Sequence, residues 1–268
     1  MNASAGHANA NDNDNDNDNA ELLQLATDLA LRAGRLARDG RAERGIASTA
    51  TKSSFTDMVT EFDKANETLI VGEEGTDTPG TSGVDWLIDP IDGTTNFMYG
   101  LPGWAVSIAA RTASGTQVGV VYVPDTDELF TATVGGGARL NGVPISCSTT
   151  TDVALALVAT GFSYSPARRA LQAQRVAALL PQVRDLRRFG AAAADLCNLA
   201  AGRVDVYYEE WLGPWDLAAG ELIAREAGCA TSTLDGQPVR PDSVIAANPQ
   251  LIAPIRRLIT EIDVRLGF

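Results

Sequence analysis

The sequence predicts an α/β fold built from layers of helices and mixed sheets. Segments with strand-like and helix-like patterns are mixed along all 268 residues. Consecutive strands with a hairpin signal are predicted in the first half and strand–helix units in the second, which favours layers over a helical bundle or a barrel. Because 45% of the residues are hydrophobic, the chain can bury a sizeable core, as one large domain or two closely packed halves.

The N-terminal segment is predicted to be a disordered tail. Residues 1–19 are polar and include an Asn-Asp repeat without periodic apolar positions. The folded domain is therefore expected to cover residues 20–268. It begins with apolar residues at helical spacing from Leu22 to Leu36, which predict an amphipathic helix that ends near Gly40.

The first half of the folded domain is predicted to be rich in strands. A short helix is expected at 62–69, ahead of an apolar strand at 86–88. Further strands are predicted at 105–110, 118–123 and 129–133. The dipeptide Asn141-Gly142 is typical of a tight hairpin turn.

Strands and helices alternate in the second half. Strands are predicted at 155–160, 186–189, 204–208 and 244–247. Helices are predicted at 167–180, 191–201 and 216–227, and in a last segment that follows Pro249 and reaches Leu266. Pro166 precedes the first of these helices, while Gly202 and Gly228 follow the next two, and both residue types favour such positions.

The charge of the chain argues against a nucleic-acid or membrane-surface binder. The net charge is −13, and the four aspartates of the Asn-Asp repeat account for only part of it, so the folded domain is acidic too. The only histidine, His7, lies in the tail, so histidine catalysis is excluded from the folded domain.

Cysteine usage and targeting signals predict a cytoplasmic protein. Three widely spaced cysteines suggest neither a disulfide framework nor a zinc site. The chain has no apolar run long enough to span a bilayer, and its N-terminus does not resemble a secretory signal. A reducing compartment fits these features best.

The most informative segment follows the apolar strand at 86–88. Asp89 and Asp92 stand three positions apart at its end, with Pro90 stiffening the backbone between them. Carboxylate oxygens are ligands that Mg²⁺ prefers, and Mg²⁺ keeps its other positions for water and phosphate oxygens. The pair therefore indicates a metal site at the end of a strand.

The residues that follow are suited to holding a phosphate. Gly93 lets the backbone approach a ligand closely, and Thr94 and Thr95 add two hydroxyl groups. If a helix begins there, its free N–H groups would face an anion. The alternative is an ordinary Asx-type turn, which Asp, Pro and Gly also favour. That alternative explains any single residue but not the whole segment.

Two further acidic segments strengthen the metal-site prediction. Asp216 begins a helix rich in small residues, where it could be an N-cap or a metal ligand. Glu73 and Glu74 could be a surface pair or a further ligand source. Carboxylates, hydroxyls and no histidine favour Mg²⁺ over zinc, and two such ions could clamp the two oxygens of an in-line displacement.

Together these segments make the chain resemble the inositol monophosphatase family, which comprises Mg²⁺-dependent, lithium-sensitive sugar-phosphate phosphatases. The resemblance covers roughly residues 20–265. The runs DPIDGTTNF at 89–97 and WDLAAGELIAREAG at 215–228 match diagnostic motifs, and GEE at 72–74 and KSS at 52–54 match other segments in order. The resemblance implies an α-β-α-β-α sandwich with mixed sheets and a homodimer.

The resemblance also implies a role for each matching residue. Two or three Mg²⁺ ions would be bound per site. The metal ligands would be Glu73, Asp89, the backbone carbonyl of Ile91, Asp92 and Asp216. Glu73 and Thr94 would position the attacking water, and Asp63 would accept a hydrogen bond from Thr94. Gly93, Thr94 and Thr95 would bind the phosphate, Glu209 the substrate hydroxyls, and Lys52 and Asp57 would support the metal site.

The expected function is hydrolysis of a phosphate monoester, with myo-inositol monophosphate as the favoured small-molecule substrate. Histidinol phosphate and fructose 1,6-bisphosphate remain alternatives, because Glu209 would suit a polyol or an amine. The segment between Asp63 and Gly72 is shorter than the family pattern, so a catalytically silent binding or regulatory protein is a further alternative.

Overall fold

The computed structural model describes residues 10–44, 71–72 and 83–267. Within these residues the chain forms two β-sheets and six α-helices. The helices are α1 (Ala10–Arg44), α2 (Thr94–Met98), α3 (Pro166–Leu179), α4 (Ala192–Ala200), α5 (Pro214–Glu226) and α6 (Ile252–Leu266). Short 3₁₀ turns occur at Val153–Leu155 and Leu180–Gln182.

The first sheet has seven strands, which lie side by side in the order of the chain. They are β1 (Val71–Gly72), β2 (Asp85–Asp92), β3 (Ala105–Thr112), β4 (Gly115–Val123), β5 (Glu128–Thr133), β6 (Gly137–Leu140) and β7 (Val143–Pro144). β1 is parallel to β2, and each later neighbour is antiparallel. Asn141 and Gly142 connect β6 to β7 with positive φ angles of 49° and 79°, so the predicted hairpin turn is confirmed.

The second sheet has five mixed strands in the order β11-β12-β10-β8-β9. They are β8 (Leu157–Thr160), β9 (Asp185–Arg187), β10 (Val206–Glu209), β11 (Ala230–Ser232) and β12 (Val244–Ala247). β8 is parallel to both β9 and β10, whereas β12 is antiparallel to β10 and β11. The prediction of mixed sheets is therefore confirmed.

The two faces of the first sheet contact different helices. On β3, Val106 and Ile108 pack with α1 alanines such as Ala30, whereas Ala105 and Ala109 pack with α4 and α5. Successive side chains of a strand point to opposite faces, so one strand serves both layers. Gly34 of α1 lies so close to the sheet that an added Cβ would be 2.5 Å from the Tyr122 ring.

The second sheet completes the layers. Its inner face packs against α4 and α5 through residues such as Tyr207 and Leu196, and its outer face packs against α3 and α6 through residues such as Ile245 and Ile259. The order of layers is thus α1, first sheet, α4 and α5, second sheet, α3 and α6. The predicted layered α/β sandwich is confirmed.

The first helix is longer at both ends than the sequence predicts. α1 begins at Ala10, so residues 10–19, predicted to be disordered, are helical, and the helix continues past Gly40 to Arg44. Extending an existing helix costs far less than nucleating one, and aspartates are favourable near a helix N-terminus. The helix predicted at 62–69 lies outside the described residues. No helix among the described residues is long and apolar enough to cross a membrane.

Candidate active site

Three carboxylates converge at the edge of the first sheet. Asp89, Asp92 and Asp216 each offer an oxygen, and these oxygens lie within 4.8 Å of one another. Asp89 and Asp92 are only 4% and 6% exposed. The register of β2 against β3 shifts between these two residues, and such an irregularity re-aims side chains that a regular strand would place on opposite faces.

The Asp89 carboxylate is held by its own backbone segment. Its Oδ1 accepts a hydrogen bond from the Ile91 N–H at 2.9 Å, which is the geometry of an Asx-type turn. The turn offered as an alternative to a metal site is therefore present, and the same turn presents Asp89 to the other two carboxylates.

Asp92 caps the N-terminus of α4 from a distant strand. Its two oxygens accept hydrogen bonds from the Ala192 N–H at 3.2 Å and the Ala193 N–H at 2.7 Å. The N-cap residue of α4, Ala191, has no side chain able to cap, so these N–H groups need an outside acceptor. One carboxylate thereby joins β2 to α4 and faces the site.

Asp216 is the third residue of α5, not its N-cap as one interpretation of the sequence suggested. The helix begins at Pro214, a residue favoured in the first turn. The Asp216 Oδ2 accepts the backbone N–H of the N-cap, Gly213, at 2.7 Å. The Ser107 hydroxyl donates to the Trp215 carbonyl at 3.0 Å, which ties this turn to β3 and the acidic cluster.

The electrostatics of the cluster favour a bound cation. Burial, with the nearby charge of Asp216, raises the pKa of Asp92 well above its usual range. Burial also raises the pKa of Asp216, although the Gly213 N–H and the contact with Asp89 oppose the shift. Grouped buried carboxylates are costly unless a positive charge compensates them, and an all-oxygen donor set fits a hard divalent ion such as Mg²⁺.

The segment after the cluster leaves space for a ligand. Gly93 has a φ of 86°, and an added Cβ would lie 3.0 Å from the Ala191 Cβ and 3.1 Å from the Gly190 carbonyl oxygen. The Thr94 hydroxyl donates to the Ile91 carbonyl at 3.1 Å. Thr94 lines the cavity above the carboxylates, whereas the neighbouring Thr95 does not.

A cavity of about 330 Å³ opens beside the three carboxylates and contains Glu209. The Tyr207 hydroxyl donates to the Glu209 Oε2 at 2.7 Å. Burial raises the pKa of Glu209 to about 7, although Tyr207 and Arg188 oppose the shift. Gly161 leaves room for this side chain, because an added Cβ would lie 2.0 Å from the Glu209 Oε1.

Several residues at the site carried no signal in the sequence. Ala192 and Ala193 act through backbone N–H groups, which every residue type except proline provides. Asp195 of α4 is 1% exposed and therefore lies almost entirely inside the protein. Burial and the charge of Glu209 raise its pKa well above the usual range, while Arg188 opposes the shift.

Four predicted site residues are not described by the structure. Glu73, Asp63, Lys52 and Asp57 lie outside the described residues, so their roles stay predictions. Strand β1 nevertheless ends next to one of them. Gly72, the residue before Glu73, pairs with Ile88, the residue before Asp89.

This fold and this site define a class of protein. A layered α/β sandwich with an acidic cluster that could bind a metal, beside a cavity, is an arrangement that a metal-dependent phosphatase could use. The sequence profile of the inositol monophosphatase family matches residues 18–262, and the chain belongs to that family.

Similar proteins carry two kinds of name. Nus factor SuhB of Escherichia coli strain K12 is 41% identical over 248 residues, which cover 86% of this chain and 92% of that protein. The structure of Mycobacterium tuberculosis SuhB is 37% identical with a TM-score of 0.77, covering 91% of this chain and 97% of that one. Inositol monophosphatase from Anabaena sp. PCC 7120 is 32% identical with a TM-score of 0.75, covering 90% and 96%.

Proposed function

We propose that the chain is a Mg²⁺-dependent phosphatase that hydrolyses myo-inositol monophosphate to inositol and phosphate. The observation that carries this proposal is the convergence of Asp89, Asp92 and Asp216 beside a cavity that also contains Glu209. A structure neighbour named as an inositol monophosphatase supports the choice of substrate.

The chain's own residues would hold the metal. Asp89, Asp92 and Asp216 supply carboxylate oxygens, and we expect the Ile91 carbonyl and Glu73 to complete the set. Support for Glu73 comes from the pairing of Gly72 with Ile88, because Glu73 is covalently next to Gly72. When bound, Mg²⁺ would supply Lewis-acid stabilisation of charge on the phosphoryl oxygens and activation of water.

Other side chains would orient the reactants. The Thr94 hydroxyl donates its proton to the Ile91 carbonyl, so its oxygen lone pairs can accept a hydrogen bond from the attacking water. In this proposal Asp63 accepts the hydrogen bond from the Thr94 hydroxyl in place of the Ile91 carbonyl, Glu73 positions the water together with Thr94, and Lys52 and Asp57 support the metal ligands. Gly93 and Thr94 line the cavity and would bind the phosphate, and Thr95, which does not line it, would contribute through its backbone N–H.

Glu209 would recognise the polyol. Its carboxylate lies in the cavity and is oriented by Tyr207, so it can accept hydrogen bonds from substrate hydroxyl groups. An ammonium group could take the same position, which keeps histidinol phosphate as an alternative substrate of the proposed enzyme.

The test is phosphate release from myo-inositol 1-phosphate with and without Mg²⁺. We expect Asp92→Asn and Asp216→Asn to lower kcat at least about 100-fold, because each removes a charge that holds the cation. Asp85→Asn is the matched control: it lies on the same strand, its side chain is 62% exposed, and its loss should leave kcat unchanged.

The panel of substrates should include histidinol phosphate and fructose 1,6-bisphosphate. Turnover of either in preference to the inositol ester would correct the substrate and keep the reaction. An absence of turnover for every phosphate ester, in protein whose circular dichroism shows a folded chain, would contradict the proposed phosphatase and favour a silent scaffold.

A second candidate function, contact with the transcription machinery, follows from the relatives named as Nus factors. At a net charge of −13 the chain is poorly suited to bind nucleic acid directly, so a protein partner is the better expectation. Tagged chain should then copurify with RNA polymerase from its own cells, and Asp92→Asn should copurify equally well. Failure of both to enrich the polymerase would contradict this function.

We also propose that the chain is a cytoplasmic homodimer. Four large apolar side chains are exposed in two neighbouring segments: Met98, Tyr99, Leu101 and Phe189. The Asn96 Nδ2 donates to the Phe189 carbonyl at 2.7 Å, which joins the segments into one patch. Tyr99→Ser combined with Leu101→Ser should shift the mass in analytical ultracentrifugation from dimer to monomer, and a monomeric unsubstituted chain would contradict the proposal.

A further inference from the structure

The mouth of the cavity is formed by a tryptophan and an arginine in contact. Trp211 is 37% exposed and lines the cavity. The Arg168 guanidinium lies over its ring, with 4.7 Å from the guanidinium carbon to the ring centroid. Such stacking holds a guanidinium flat and leaves its N–H groups pointing outward in the plane, where they can reach an anion.

The backbone of Trp211 is in an unusual conformation. Its φ is 64°, which is costly for a bulky residue other than glycine. Its N–H donates to the Asp242 carbonyl at 3.2 Å, and the next N–H, of Leu212, donates to the Pro241 carbonyl at 2.8 Å. The turn is thus fixed from outside, and it presents the indole at the cavity mouth.

Arg168 differs from the other arginines of this region in its partners. The buried Arg175 pairs with Asp263 and Glu210, and Arg169 donates to the Ser163 and Tyr164 carbonyls. Arg188, the other arginine of the cavity, lowers the pKa values of carboxyl groups that face it. Within the described part of the chain, Arg168 has no ion pair or hydrogen bond and contacts only the Trp211 ring among charged or aromatic groups.

The position of this pair relative to the acidic cluster limits what it can bind. The same cavity is lined by the acidic cluster, of which Asp89 and Asp92 are buried, and by the exposed side chains of Arg168 and Trp211, so the cluster lies at its base and the pair at its mouth. A phosphate held at the base is the group that would be hydrolysed. An anionic group at the mouth would then lie at the other end of a substrate that fills the cavity.

We infer that Arg168, stacked on Trp211, binds a second anionic group of the substrate, a phosphate or a carboxylate, at the end opposite the phosphate that is hydrolysed. This inference rests on the proposed phosphatase reaction but not on myo-inositol monophosphate as its substrate, because that ester has no second anionic group. Substrates with two anionic ends should be preferred over those with one.

The test compares matched substrates that differ only in the second group. Fructose 1,6-bisphosphate against fructose 1-phosphate tests a second phosphate, and 3-phosphoglycerate against glycerol 3-phosphate tests a carboxylate. Arg168→Ala should lower kcat/KM for the doubly anionic member of at least one pair by about 5–30-fold, mainly through KM, and change the singly anionic member by less than about twofold. Arg168→Lys should recover part of the loss.

Controls separate this inference from a structural role. Arg187→Ala removes an arginine whose partner is Asp185 and which does not line the cavity, so it should change neither member of a pair. Equal effects of Arg168→Ala on both members, or no effect on either, would overturn the inference and leave the phosphatase proposal intact.

Direct binding covers the case in which no substrate is turned over. An absence of turnover would refute the proposed phosphatase. Calorimetry with the same sugar phosphates and Mg²⁺ would still measure their binding at the mouth of the cavity. Weaker binding of fructose 1,6-bisphosphate to Arg168→Ala than to the unsubstituted chain would support the inference, and equal binding would overturn it.

Discussion

Replacing Glu209 by glutamine should flatten the pH dependence of stability of the metal-free protein. Burial raises the pKa of this carboxyl from 4.5 to about 7. Between these values the folded chain binds a proton that the unfolded chain has released, so stability falls as the pH rises through this window. Glutamine cannot titrate, and its oxygen can still accept the hydrogen bond from Tyr207.

The size of the effect follows from the two pKa values. Between pH 5 and pH 8 the difference in proton binding corresponds to about 2–3 kcal/mol of unfolding free energy from this one group. Glu209→Gln should remove that contribution. The carboxyl groups of Asp92, Asp195 and Asp216, whose pKa values are also raised, would keep a residual slope of the same sign.

Urea unfolding in the presence of a chelator measures the effect. The unfolding free energy at pH 5 minus that at pH 8 should be smaller in Glu209→Gln than in the unsubstituted chain. Glu261→Gln, a change at an exposed position of α6, is the control and should keep the original difference. The reasoning is wrong if Glu209→Gln and the unsubstituted chain show the same difference.

Three further changes probe the site and its support. Gly161→Ala should raise KM for a polyol phosphate about tenfold or more, because the added Cβ would occupy the position of the Glu209 carboxylate. The melting temperature should change little, since that carboxylate is the end of a flexible side chain. An unchanged KM would argue against Glu209 as a substrate ligand. Arg175→Met should lower the unfolding free energy by about 3 kcal/mol in denaturant titrations, since it leaves the partly buried carboxylates of Asp263 and Glu210 without their guanidinium partner. A loss below about 1 kcal/mol would contradict this. Gly93→Ala should abolish phosphate release and lower the melting temperature, because alanine is strained at a φ of 86° and would contact the Gly190 carbonyl. Normal turnover would show that Gly93 is not packed against Gly190 as described.

Metal binding offers a fifth prediction through linkage. Mg²⁺ should raise the melting temperature at pH 8, where the clustered carboxylates are charged, more than at pH 5, where protons compete for them. Asp92→Asn should reduce this rise. A melting temperature that does not respond to Mg²⁺ at either pH would contradict a cation site at the three carboxylates.

Much of the site chemistry could be predicted from local sequence. Asp89 and Asp92 follow an apolar strand, Gly93 follows them, and Asp216 lies in the first turn of a helix of small residues. These patterns depend only on neighbours in the chain. Helix and strand positions in the second half were also predictable, because the hydrophobic period and the flanking glycines and prolines are local signals.

Other features depended on contacts between distant segments and could not be predicted. Residues 10–19 become helical by extension of α1, although their composition resembles that of disordered chains. The glycine at 161 has no local signal, because the carboxylate that needs its space comes from Glu209. Trp211 adopts a left-handed backbone that sequence patterns assign to glycine or asparagine.

The sequence by itself determined which side chains are available at the site, namely carboxylates and hydroxyls without histidine. It also determined that the chain is acidic and that its strands and helices follow the pattern of a layered α/β fold. Only the tertiary structure decided that Asp92 caps α4, that Asp216 meets Asp89 and Asp92 within 4.8 Å, and that Arg168 and Trp211 share the cavity mouth. The physical reason is that residue type and local period follow from neighbouring residues, whereas burial, pKa and the partner of each polar group depend on which remote backbone packs beside it.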